Sequence, residues 1–166
     1  TTCTNILANM TEMVAKKHGN VQISLKPGNH DEIATSGLRN GLRCYHRTSN
    51  RISVDESPSP WFLRTHGRCQ ITGTHGHKAK PSQMPLIVAN RWPDAWGQTD
   101  VRHCHTGHIH HQSEKEDNGV SVFTHQAPIP PDGYHSALGY KSNRSLRAFN
   151  YCGNEGYKGQ AVVELH

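Results

Sequence analysis

No stretch of this sequence stays apolar for long. Only 33% of its 166 residues are hydrophobic, and the mean hydropathy is -0.75. Nothing approaches the roughly 20 apolar residues of a membrane-spanning helix. No charged-then-apolar leader opens the chain. These absences argue against a helical membrane protein and predict a cytoplasmic one, with no membrane partner. The five cysteines, Cys3, Cys44, Cys69, Cys104 and Cys152, include no Cys-x-x-Cys pair, and their number is odd. That argues against a disulfide scaffold and a structural zinc ribbon. A core built from so few apolar residues is expected to be small, or to be completed by further chain or a partner.

Histidine is abundant instead. There are 14, several of them in two tight clusters, Thr74 to His77 (THGH) and Thr106 to His111 (TGHIHH). The net charge of +5 and a pI near 9.1 suit a polyanionic substrate such as nucleic acid or nucleotide. A modestly basic surface with no such partner is the plainer alternative.

Read in order, residues 4–17 form an expected helix, with Ile6, Leu7, Met10, Met13 and Val14 as its apolar stripe. Lys16 and Lys17 suit its C-terminal dipole, and Gly19-Asn20 ends it. Val21 to Leu25 alternates like a strand, and Pro27 and Gly28 then force a tight turn. A second helix is expected over 31–46, with Ile33, Leu38, Leu42 and Tyr45 on its apolar face. Ile52 to Val54 is a short strand. Trp61–His66 and Cys69–Thr74 read as a hairpin around Gly67-Arg68. Residues 84–91 form a short helix, 92–96 a packed loop, and Val120–Phe123 a strand. Residues 126–134 form a proline-rich loop. Arg144–Cys152 and Gln160–Leu165 close the chain as a strand pair. Helices alternating with strands, and then mainly strands, predict an α/β chain of one domain over residues 1–166.

Three motifs follow expected strands: Asn29-His30-Asp31, His75-Gly76, and Gly107-His108-Ile109-His110. In that order they resemble the later motifs of the calcineurin-like metallophosphoesterases, from about Val21 to Lys115. The resemblance implies the C-terminal part of an α/β/β/α sandwich. It implies divalent metal ions, Mn, Fe or Zn, two of them if the site is completed. Asn29, His75 and His108 would hold one metal and His110 would reach the other. His30 would be the general acid, a role that histidine's near-neutral titration suits. Asp31 would orient His30 or tie the turn. In an extended loop His108 and His110 would share a face, with Ile109 turned into the core. Gly107 would let the backbone approach closely. The segment from Tyr134 to Ser145 resembles a stretch of phage and bacterial members. It offers His135, Tyr140 and Arg144 as substrate-binding candidates.

The family's Asp-x-His and Gly-Asp-x-x-Asp motifs are absent from this sequence. Together with an opening Thr, this predicts a fragment, a split subunit or a half-domain, completed by missing chain or a partner chain. The expected function is a metal-dependent phosphoester hydrolase, a phosphodiesterase or nuclease acting on DNA or nucleotides. The alternative is a non-catalytic half-domain with an assembly role in a phage-like particle. A third reading is a histidine-rich zinc-binding domain. His77, His103, His105 and His111 are expected beside the site or at the surface. Cys104 is expected to be a buried strand residue. Lys78 and Lys80 are expected to attract phosphate or to lie in a solvated turn.

Overall fold

The computed structural model describes residues 2–129 and 143–165. The chain divides into two compact units, Thr1–Pro60 and Trp61–His166. Both are mixed α/β in character, as the alternation of elements predicts.

In the first unit, α1 (Thr2–His18) leads into β1 (Val21–Ile23), and α2 (Glu32–Tyr45) leads into β2 (Ile52–Val54). The strands pair in parallel, Val21 opposite Ile52. The face of α1 that is buried is not the expected one. Ala8 and Ala15 are buried, whereas Ile6, Met10, Met13 and Val14 are exposed. Ala8, Thr11 and Ala15 recur at helical spacing, and small side chains let α1 lie close to α2. The Thr11 hydroxyl pairs with His46 Nε2 at 2.9 Å. On α2, Leu42 is fully buried but Ile33 and Tyr45 are exposed. Arg51 ties the end of α1 to the start of β2 by donating Nε–H to the Gly19 carbonyl at 2.9 Å.

The second unit is built on five strands: β3 (Trp61–His66), β4 (Cys69–Thr74), β5 (Val101–Thr106), β6 (Ser113–Asp117) and β7 (Val120–Thr124). Their order in the sheet is β3-β4-β5-β7-β6. The central trio β4, β5 and β7 is parallel, and an antiparallel strand closes each edge. Parallel pairing of β4 with β5 demands a crossover. It is supplied by α3 (Met84–Arg91) and by α4 (Pro93–Gln98), a helix where a packed loop was expected. Pro93 at its first turn fits, because no amide is needed there, and Asp94 suits the dipole. The edge strand β6 was not expected at all. The hairpin from β6 to β7 turns at Asn118-Gly119, both with positive φ, as a two-residue hairpin requires.

Alternation along β5 and β7 gives the sheet two unlike faces. Cys104, Val120 and Val122 pack with Met84 and Val88 of α3, all at most 2% exposed. Each such side chain withdrawn from water contributes about 1.5–3 kcal/mol. His103, His105 and Phe123 point the other way, against the antiparallel hairpin β8 (Arg144–Cys152) and β9 (Gly156–Leu165). Gly67 and Gly153 meet where the two hairpins touch. The Arg68 amide donates to the Gly153 carbonyl at 2.9 Å, and a Cβ on Gly67 would lie 2.1 Å from that oxygen.

Candidate functional site

The loop after β1 carries the first motif. Gly28 is buried, while Asn29, His30 and Asp31 are exposed. The Asp31 carboxylate accepts the Gly28 amide at 2.6 Å, so Asp31 ties the turn. Beneath it lies a well-buried ion pair, Lys26 Nζ to Asp55 Oδ2 at 2.8 Å. Burial alone would raise the Asp55 pKa, but Lys26, the Ser57 amide and the Ser24 hydroxyl together hold it below its ordinary value. This pair anchors the chain on the strand side of the motif. No sequence pattern singled it out, since Lys26 and Asp55 lie 29 residues apart.

The second and third motifs lie at the C-terminal ends of β4 and β5, neighbouring parallel strands. The Gly107 amide donates to the His75 carbonyl at 3.0 Å and joins the two loops. Three imidazoles gather there. The ring centroids of His75 and His108 are 5.1 Å apart, those of His75 and His77 5.3 Å, and those of His77 and His108 6.0 Å. His77 Nδ1 is buried and has no hydrogen-bond partner among the described residues. His77, expected only beside the site, is therefore within it.

Gly76, not Gly107, is the glycine this arrangement needs. Its φ is +99°, and a Cβ there would sit 3.2 Å from the Thr106 Cβ. A Cβ on Gly107 would meet only the His75 carbonyl, at an ordinary 3.7 Å. The Gly107–His110 loop is also not extended. His108 and His110 have φ of 69° and 54°, and the Ile109 amide turns back to the Gly107 carbonyl at 2.9 Å. The expected alternation therefore fails. Ile109 is 49% exposed and not in the core. His110 is half-buried, while His108 and His111 are exposed.

Imidazole is an apt ligand for Zn or Fe, and an orphaned nitrogen such as His77 Nδ1 is what a ligand would satisfy. The placement does not complete the fit: among the described residues no group of three His, Cys, Asp or Glu side chains is positioned to hold a metal ion. Of the substrate-binding candidates, Arg144 opens β8 and is half-buried. His135 and Tyr140 lie outside the described residues. Lys78 and Lys80 are exposed in the turn after His77.

A second histidine assembly was not foreseen. His103 and His105, expected beside the site or at the surface, are enclosed between the sheet and the β8–β9 hairpin, and His103 is only 6% exposed. His103 Nδ1 meets the Tyr151 hydroxyl at 2.8 Å, and the same hydroxyl meets His105 Nε2 at 3.2 Å. His105 Nδ1 then meets His125 Nε2 at 2.9 Å. The His105 and His125 rings are 12° from parallel with centroids 5.2 Å apart. A 2.9 Å contact with that centroid distance places the two rings nearly end to end in one plane, the geometry of an N–H···N bond. Burial holds the imidazoles neutral. It lowers His103 to about 4. It lowers His105 to about 3, with help from His125 and His103. It lowers His125 to about 4, with help from Arg147. Burial likewise raises the Tyr151 hydroxyl. Cys104 on the opposite face is fully buried, as expected, and burial raises its thiol to about 11, so it is an inert core group.

No protein-family model matches this chain, and no curated protein matches it. Among solved structures, a double mutant of Vps29 from Entamoeba histolytica is similar at 16% identity, over 89% of this chain and 84% of that one, with a TM-score of 0.47. A structure described as a novel archaeal phosphodiesterase is similar at 18% identity, over 92% and 74%, with a TM-score of 0.45. Wild-type Vps29 of the same Entamoeba, in complex with zinc, is similar at 15% identity, over 93% and 88%, with a TM-score of 0.46.

Proposed function

We propose that this chain is a phosphoester-hydrolase-type domain, a metal-dependent phosphodiesterase or nuclease acting on DNA or nucleotides. The observation that carries this reading is the gathering of His75, His77 and His108 at the ends of β4 and β5. Loops at the carboxyl ends of parallel strands are where α/β sheets present their chemistry. A divalent metal would supply an activated water and charge neutralisation on the phosphoryl oxygens. Among the described residues these histidines do not make a complete ligand set, so the reading calls for further groups. A partner chain is this reading's source, and His110 is its ligand for a second ion. His30, exposed in its loop, is in this reading the proton donor to the leaving-group oxygen. The basic balance of the chain favours a polyanionic substrate.

Turnover of a phosphodiester, a phosphomonoester and single-stranded DNA with manganese tests the reading, alongside native mass spectrometry for bound metals and chains. Diester turnover that His30→Ala abolishes while metal content stays unchanged is expected. Turnover indifferent to His30→Ala removes the acid role. A second reading, a non-catalytic assembly module, is favoured by the incomplete donor set. It predicts at most one metal and no turnover of any of the three substrates.

A further inference from the structure

Arg147 is out of place. Along β8, Ser145, Arg147, Phe149 and Tyr151 form the inward row, while Leu146, Ala148 and Asn150 are exposed. An arginine in such a row needs an acidic partner or a route to water. Arg147 has no ion pair among the described residues. One guanidinium nitrogen donates to the neutral Gln160 side-chain Oε1 at 3.2 Å, in a solvent-exposed contact. Its Nε is buried and has no partner among the described residues.

The inward row borders a cavity of about 420 Å³ inside the Trp61–His166 unit. Phe62, Ile71 and Phe149 supply apolar walls, and among the described residues Arg147 is the one charged group in the lining. Among the described residues no carboxylate lines it. Gly73 shapes one wall, since a Cβ there would lie 2.4 Å from the Phe62 ring, so glycine allows that ring to lie across β4. His125 also lines the cavity, and its Nδ1 has no hydrogen bond among the described residues. The cavity therefore combines apolar walls, one uncompensated cation and one idle imidazole nitrogen. Its size falls in the range that takes a small organic molecule.

We infer that this cavity binds a small organic anion with an apolar body, an aryl- or alkyl-carboxylate, whose carboxylate meets Arg147 and whose body lies against Phe62 and Phe149. A guanidinium in a partly desolvated setting makes charge-assisted bonds about twice as strong as neutral ones, and its fork matches a carboxylate. The apolar walls favour a ligand larger than a bare inorganic anion. The rival explanation is that an inward charge on an edge hairpin only discourages sheet-to-sheet pairing. That role needs no ligand. The inference stands on the Trp61–His166 unit and is independent of the phosphoesterase reading.

The test is binding of 3-phenylpropionate, 3-phenylpropanol and inorganic phosphate to the full chain, followed by saturation-transfer NMR and by the thermal midpoint. The acid is expected to saturate and to bind at least about tenfold more tightly than the alcohol. Arg147→Gln should erase that preference, and Arg147→Lys should keep part of it. Equal binding of acid and alcohol overturns the inference, as does an unchanged preference in Arg147→Gln. Phosphate binding as tightly as the acid overturns it too, because the walls would then contribute nothing. No saturation by about 10 mM acid leaves the rival explanation in place and overturns the inference. Should Arg147→Gln fail to fold, the acid-to-alcohol ratio on the unaltered chain decides alone.

Discussion

Met84, Val88, Cys104, Val120 and Val122 close one face of the five-stranded sheet, and a thiol is their one polar group. His103, His105, His125 and Tyr151 help close the other through a run of hydrogen bonds between neutral rings. Both faces exclude water, but on different terms. The aliphatic face depends on apolar area, which is indifferent to pH. The histidine face depends on each ring staying unprotonated, because a charge there would be buried with no anion beside it. One sheet thus carries an unconditional layer and a conditional one.

Acid should separate the two layers most strongly. An unfolded histidine takes up its proton near pH 6.5, whereas His103, His105 and His125 resist until about 4, 3 and 4. The unfolded chain therefore binds more protons in between, and stability falls as pH falls. The contribution is fully present above about 6.5 and is lost toward 4. The rings titrate as a coupled set, so the loss is expected on the order of 5 kcal/mol, below the sum of independent sites. Urea unfolding at pH 7 and pH 4.5 measures it. Equal stability at both values would mean that the ring network is not formed in solution.

The aliphatic face should answer to volume alone. Met84→Ala leaves a cavity and should cost about 3 kcal/mol, by the same amount at both pH values. A pH-dependent cost would show that the layers are not separable. His105→Phe keeps a ring in place but leaves the Tyr151 hydroxyl and His125 each short of a partner. It should cost roughly 1–3 kcal/mol at pH 7 and flatten the acid dependence. The smallest effect is expected at the loops. Gly76→Ala must hold a side chain at φ +99° and should cost about 1–2 kcal/mol. The displaced His75 and His77 rings would show in histidine NMR shifts, while the acid dependence should stay as in the parent chain.

The strands of the larger unit were legible where side chains alternate, as in the Trp61–Thr74 hairpin and in Val120–Phe123. The β6 strand was not, because Ser113 to Asp117 is polar throughout. Its pairing is set by the Asn118-Gly119 turn, and its charges suit an exposed edge. The α1 stripe was misread because apolarity was weighed by size, whereas close helix approach selects Ala8 and Ala15. The motif histidines were found by pattern, and their gathering at the ends of β4 and β5 followed from strand placement. The conformation of their loop was not readable, since two of its non-glycine residues, His108 and His110, occupy left-handed backbone. The His103–His105 pair lay in plain view at strand spacing. Its partner Tyr151 is 46 to 48 residues away, and no local signal reports which face that hairpin covers.

The ring network also has a direction. A neutral imidazole carries one proton on two nitrogens, and the Tyr151 hydroxyl has one proton to give. If His105 donates from Nδ1 to His125, its Nε2 must accept from Tyr151, and Tyr151 must accept from His103. If His125 donates instead, every assignment reverses, and His103 must move its proton to Nε2. A carboxylate that accepted a proton from His125 Nδ1 would therefore fix the tautomer of His103, three hydrogen bonds away, with no backbone movement at all. Nitrogen-15 shifts of the two rings would register that exchange as a single coordinated flip.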